Sequence, residues 1–163
     1  MEPRSPIRID PATEADLPQI LAFIRALAEY EKLSHICVAT EQSLRKALFG
    51  AKPYAEVLIA RLDNAPVGFA LFFHNFSTFL AKPGIYLEDL FVPPEHRGKG
   101  VGKALLKRLA QIARERDCGR MEWSVLDWNT PSIEFYKRIG AKVLPEWNLC
   151  RMTAPEIAKL AET

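Results

Sequence analysis

Apolar residues recur at helical spacing early in the chain and gather into short blocks in its middle. Leu17, Ile20, Leu21, Ile24, Leu27 and Ala28 fall three and four positions apart, which predicts an amphipathic helix with Arg25, Glu29 and Lys32 left for solvent or a site. Thr13-x-x-Asp16 opens that helix in the manner of a capping box, with Asp where Glu or Gln is usual. Ile7-Arg8-Ile9 reads as a short strand before it, and Thr40 to Phe49 as a second helix. Glu56 to Leu62 and Val67 to Phe73 are strand-like runs around Asp63-Asn64-Ala65-Pro66, a sequence suited to a tight turn.

Pro83-Gly84 predicts a break, and Ile85 to Val92 a strand that Pro93-Pro94 ends. From Val101, the stripe Leu105, Leu109, Ile112 marks a helix with Lys103, Lys107, Arg108 and Arg114 on its other faces. Met121 to Leu126 follows as a strand. Thr130-Pro131 is expected to be an N-cap with Pro at the first helical position, and Gly140 the stop of that short helix. Val143-Leu144 and Leu149 to Met152 are expected as terminal strands. Hairpin strands first and strand–helix alternation later imply a mixed α/β sheet with helices on both faces. With no repeat, linker or low-complexity tract, residues 1–163 are read as one domain.

Composition narrows the function classes. The chain carries 22 Lys+Arg against 20 Asp+Glu, a net charge of +2, which gives no electrostatic case for nucleic acid or an acidic membrane. Cys37, Cys118 and Cys150 lie far apart without a C-x-x-C pair, as expected of reduced thiols. His35, His74 and His96 lack metal-ligand spacing, and no metal is expected. The N-terminus lacks the apolar core of a signal peptide and no apolar run approaches membrane-spanning length, so a cytoplasmic protein is expected.

The chemistry concentrates at Arg97-Gly98-Lys99-Gly100-Val101-Gly102-Lys103, between a strand and a helix. Free backbone N–H groups and the helix dipole attract an anion at such a junction. Glycines at 98, 100 and 102 are expected to permit unusual dihedrals and let a pyrophosphate approach the amides, with Arg97 and Lys99 adding charge. The turn is not a P-loop: three residues rather than four separate Gly98 from Gly102-Lys103, and Ala104 replaces the magnesium-binding Ser or Thr. Nor is it a dinucleotide fingerprint, because the third glycine comes one position early.

Arg97-x-x-Gly100-x-Gly102 after Leu87-Glu88-Asp89-Leu90-Phe91-Val92 resembles the acetyl-CoA motif of the GNAT superfamily of N-acetyltransferases. Thr13-Glu14-Ala15-Asp16, Leu27-Ala28-Glu29-Tyr30-Glu31 and Trp128-Asn129-Thr130-Pro131-Ser132 through Tyr136 to Ala141 are similar to the diamine (spermidine/spermine) acetyltransferase branch, and the resemblance covers about Ile7 to Met152. It implies the GNAT fold, a central, mostly antiparallel twisted sheet. It also implies that Leu90, Phe91 and Val92 bind the pantetheine arm through their backbone, that Arg97 to Lys103 hold the pyrophosphate, and that Asn129, Ser132 and Tyr136 contact the cofactor near its thioester. Homodimers whose acceptor pockets draw on both subunits are implied as well.

The acceptor amine imposes a chemical demand. An alkylammonium of pKa about 10.4 leaves only about one molecule in a thousand as free nucleophile at pH 7.4. Glu88 is the candidate base, with Asp89 the alternative, and the two adjacent residues can share one cleft only if a bulge intervenes. Tyr136 is the candidate acid for the departing thiolate, with direct transfer in a ternary complex. Tyr30 and Glu31 are candidate acceptor-pocket residues. The basic run Glu41-Gln42-Ser43-Leu44-Arg45-Lys46 would repel a long polyamine, so a shorter diamine or a lysine-like amino acid such as thialysine fits at least as well. A protein-lysine acetyltransferase, a noncatalytic acyl-CoA sensor and an interaction module are the alternatives.

Overall fold

A computed structural model describes residues 6–162. Its elements run β1 (Arg8–Pro11), α1 (Leu17–Tyr30), α2 (Glu41–Phe49), β2 (Glu56–Leu62), β3 (Ala65–Ser77), β4 (Lys82–Phe91), α3 (Val101–Glu115), β5 (Arg120–Trp123), α4 (Thr130–Arg138) and α5 (Ala154–Ala161). The strands form one sheet in the order β1-β2-β3-β4-β5, antiparallel throughout except for the parallel pair β4–β5. This is the expected mixed sheet.

Local chemistry explains the element ends. Thr13 and Asp16 exchange capping-box hydrogen bonds across a 3₁₀ turn (Glu14–Asp16), and α1 begins only at Leu17. Thr40 caps α2 by accepting from the Ser43 amide. Asp63 and Asn64 both take left-handed φ, 48° and 64°, the two-residue hairpin geometry that matches strand twist. The expected break at Pro83-Gly84 is absent, because both residues lie inside β4. Gly84 instead leaves room for the Asn75 side chain: a Cβ there would come within 2.3 Å of Asn75 Oδ1, while Asn75 Nδ2 donates to Glu122 at 2.8 Å.

Helices cover both faces. On one, Phe23 of α1 stacks on Phe69 at 5.5 Å and approaches Phe91 at 6.2 Å, in a buried cluster with Ile20, Leu48, Val57 and Ile59. On the other, α3 buries Val101, Leu105, Leu109 and Ile112. Truncating a fully buried Leu such as Leu105 or Leu109 to Ala costs about 2–5 kcal/mol in a packed core.

The chain divides into two compact units, one ending at Ser124 and the other beginning at Val125. The first holds the five-stranded sheet with α1 to α3; the second holds α4 and α5. Here the sequence reading needs three corrections. Asn129, not Thr130, is the N-cap of α4, accepting from the Ser132 amide, so Thr130 is already helical. The strand expected through Leu126 stops at Trp123. The terminal strands at Val143-Leu144 and Leu149 to Met152 do not form, because β-propensity makes no strand without a hydrogen-bonded neighbour. Thr153 and Glu156 then form a capping box that starts α5.

Candidate active site

The middle of β4 departs from regular pairing. Opposite β3, Leu87 pairs with Phe72 and Asp89 with Leu71, so Glu88 has no partner and β4 bulges there. Strand side chains alternate faces, and one inserted residue reverses the alternation. Leu87 accordingly shares the α3 face with Phe72, over whose ring the Arg116 guanidinium lies at 6.0 Å. Asp89 shares the opposite face with Leu71 and Phe91, beneath α1. Without the bulge Asp89 would point to the α3 side.

The carboxylates respond to that placement. Glu88 is exposed, whereas Asp89 is half-buried. Burial, then the negative charges of Glu88 and Glu31, push the Asp89 carboxyl up to about 6. Burial also raises Glu31, just past the end of α1. Tyr30 and Glu31, expected near the acceptor, thus belong to the same face as Asp89.

β4 also parts from β5. Their parallel ladder runs from Gly84↔Arg120 to Leu87↔Trp123 and stops, while pairing to β3 continues to Phe69↔Phe91. Leu90 and Phe91 therefore keep one hydrogen-bonding edge clear of β5, as a strand-like pantetheine arm requires. The Val92 carbonyl already accepts from Arg97 Nε at 2.9 Å.

Beyond β4, a 3₁₀ turn (Pro94–His96) leads into the glycine segment. Gly98 and Gly100 have φ of 71° and 87°, where only glycine is unstrained, and Gly100 is the N-cap of α3 without a side-chain cap. The amides of Val101, Gly102 and Lys103 therefore face the turn with no helical acceptor. Gly102 differs from the expectation: it lies within the first turn of α3 and has no positive φ. These uncapped amides, with exposed Lys99 and Lys103, fit a pyrophosphate.

Sequence reading missed Gly68, although an isolated glycine in a strand signals close backbone approach. A Cβ on Gly68 would lie 2.9 Å from the Phe91 carbonyl oxygen, 3.1 Å from Val101 Cγ1 and 3.2 Å from Val92 Cγ2. It sets the depth at which the end of β4 and the start of α3 sit.

In the second unit, Asn129 is buried at the start of α4, and Ser132 and Tyr136 are four residues apart, hence on one helical face. The Tyr136 ring packs beside Phe135, with centroids 5.5 Å apart. In α2, Arg45 is ion-paired to Glu14, which offsets part of the repulsion toward polyamines expected from that helix. A shallow depression lined by Glu14, Ser43, Arg45 and Lys46 contains none of the candidate catalytic, cofactor-binding or acceptor residues. Among the described residues no group of three or more His, Cys, Asp or Glu could hold a metal, and no helix is long and apolar enough to cross a membrane.

Comparison with known proteins converges on one group. Residues 19–141 match the Acetyltransferase (GNAT) family. Thialysine N-epsilon-acetyltransferase of Bos taurus is 37% identical over 95% of this chain and 97% of its own. L-ornithine N5-acetyltransferase NATA1 of Arabidopsis thaliana is 35% identical over 90% of this chain and 84% of its own. The solved integron cassette protein VCH_CASS6 of V. cholerae superposes with a TM-score of 0.80 at 28% identity, covering 96% of this chain and 98% of its own.

Proposed function

This chain belongs to the GNAT family and is an acetyl-CoA-dependent N-acetyltransferase of small-molecule amines, and from that premise we propose that its acceptor is the side-chain amine of a lysine- or ornithine-like amino acid or a short diamine. The observation that carries the proposal is the bulge at Glu88, which turns Asp89 toward the face shared with Glu31. A carboxylate poised near neutrality beside two further carboxylates can bind an ammonium and take its proton.

In this reading Asp89 accepts the proton, while Glu88, exposed beside it, helps hold the cation. The freed nitrogen forms its bond to the thioester carbonyl carbon, and the carbon–sulfur bond breaks. The Glu88 amide, at the bulge, donates to the carbonyl oxygen as charge develops there. Tyr136 donates its hydroxyl proton to the departing sulfur, the acetylated nitrogen sheds its second proton to restore the Tyr136 hydroxyl through solvent, and the Asp89 proton returns to solvent. Leu90, Phe91 and Val92 hold the pantetheine arm; Gly98 to Lys103 hold the pyrophosphate; Asn129 and Ser132 flank the thioester. Two relatives, thialysine and ornithine acetyltransferases, act on amino acids with a terminal side-chain amine, which supports the acceptor class.

We read the protein as a single GNAT domain that acts as a cytoplasmic homodimer. Self-association is supported by the exposed apolar residues of the second unit, among them Val143, Leu144, Trp147, Leu149 and Ile157.

The test is CoA thiol release with thialysine, ornithine, lysine, putrescine and spermidine, with Tyr136→Phe alongside. Amino acids and putrescine are expected to react in preference to spermidine, and Tyr136→Phe to lower kcat about 10²-fold or more. Preference for spermidine would overturn the acceptor assignment. Full activity of Tyr136→Phe would overturn the acid.

A further inference from the structure

Arg97 opens the glycine turn, where the motif alone assigns it to the pyrophosphate, yet its side chain is engaged elsewhere. Its Nε donates to the Val92 carbonyl at 2.9 Å, and its guanidinium carbon lies 4.8 Å from the Tyr30 ring centroid and 5.9 Å from that of Phe91. Phe91 ends β4, Val92 begins the turn, and Tyr30 is the last residue of α1. One flat cation thus joins the donor turn to the end of α1, immediately before Glu31.

Two physical features make this more than a passing contact. A helix C-terminus carries partial negative charge, and the last turn of α1, whose Leu27, Ala28 and Glu29 carbonyls accept from the amides that follow, contains no basic residue of its own. The chain then reverses at Lys32, where φ is 62°. Arg97 supplies a cation at that end from outside the helix. The geometry also requires a plane: an in-plane Nε–H meets the carbonyl while the guanidinium lies over the ring, an arrangement lysine cannot reproduce. A simple phosphate contact would need charge alone.

We propose that Arg97 is a positioning residue that couples occupancy of the turn by the donor to ordering of the last turn of α1, so that the acceptor end is completed only once the donor has bound. Its consequence for catalysis rests on the acceptor reading above; the coupling itself does not.

Hydrogen exchange of the segment 27–33, measured with and without saturating CoA, tests the coupling without any amine. In the wild type CoA is expected to slow exchange there about fivefold or more. In Arg97→Lys that protection is expected to vanish while CoA affinity stays within about threefold, because charge is kept and the planar fork is lost. Tyr30→Leu, with Arg97 intact, is expected to lose the protection as well. With an accepted amine, Arg97→Lys is expected to raise the amine KM about two- to fivefold and leave kcat unchanged. The proposal is overturned if CoA gives no protection in the wild type, if either variant keeps it, or if Arg97→Lys weakens CoA binding about tenfold, the mark of a direct phosphate contact. Failure of every amine to react would overturn the acceptor reading and leave the exchange result standing.

Discussion

Asp89 stands opposite Leu71 in the β3–β4 ladder, and that pairing places a carboxylate on the α1 side of the sheet. One residue fewer in β4 would have set Asp89 against α3. The pH behaviour of the protein should follow from this. With its pKa at about 6 against an ordinary 3.8, Asp89 ionises within the assay range, so kcat/KM should rise through an acid limb near pH 6 and then level. An enzyme that binds only the free amine would instead keep gaining activity toward the amine pKa, about 10.4. A pH–rate profile from 5 to 9.5 distinguishes the two.

Stability should move in the opposite sense. The folded protein holds the Asp89 proton more tightly than the unfolded chain, so Asp89 lowers stability as pH rises from about 4 to about 6, and the cost persists above that. Asp89→Asn is therefore expected to be more stable than wild type at pH 7.5 by on the order of 2 kcal/mol, about 4–8 °C in Tm, with the gain lost near pH 4. The same variant should lose about 10²–10⁴-fold in kcat. Melting curves at both pH values and a single turnover assay check it.

Removing the weaker of the two charges that act on Asp89 gives a graded version of that test. Glu31→Gln should shift the acid limb to lower pH, because one carboxylate no longer opposes ionisation of Asp89. It should also raise the KM for a cationic amine. An unchanged profile would place Glu31 outside the electrostatics of the site.

Backbone fit at the donor site is tested at Gly68 and Gly100. Gly68→Ala would press a methyl on the Phe91 carbonyl, with an expected cost of about 1–3 kcal/mol and a higher KM for acetyl-CoA. Gly100→Ala forces a β-carbon into left-handed φ, about 1–2 kcal/mol, at a position where the methyl itself meets nothing within 4 Å. Thermal shift with and without CoA reads both, since a ligand at 100 times its Kd adds about 2.7 kcal/mol.

These expectations also mark what the sequence could and could not convey. The bounds of β2 and the turn at Asp63-Asn64 were legible because each depends on residues within a few positions, whereas Thr40, expected inside α2, is its N-cap. The glycine turn was legible for the same reason. The bulge at Glu88 could be required by two adjacent acids but not located, since register belongs to a pair of strands. The stack of Arg97 on Tyr30 left no local trace, because neither residue's surroundings change the pattern around the other. Terminal strands were expected from apolar runs and failed for want of neighbours, whereas the Thr153–Glu156 box that starts α5 was local and could have been read.

The parting of β4 from β5 after Leu87 has a consequence for how such an enzyme changes over time. A main-chain edge greets its ligand with the same donors and acceptors whatever side chains flank it. The acetyl carrier can therefore be retained while Tyr30, Glu31 and the carboxylates around them are exchanged, one substitution at a time, for a different amine. Diversification of the acceptor end then proceeds without renegotiating the donor, and an ancestor with this strand geometry could give rise to descendants that share a reagent and little else.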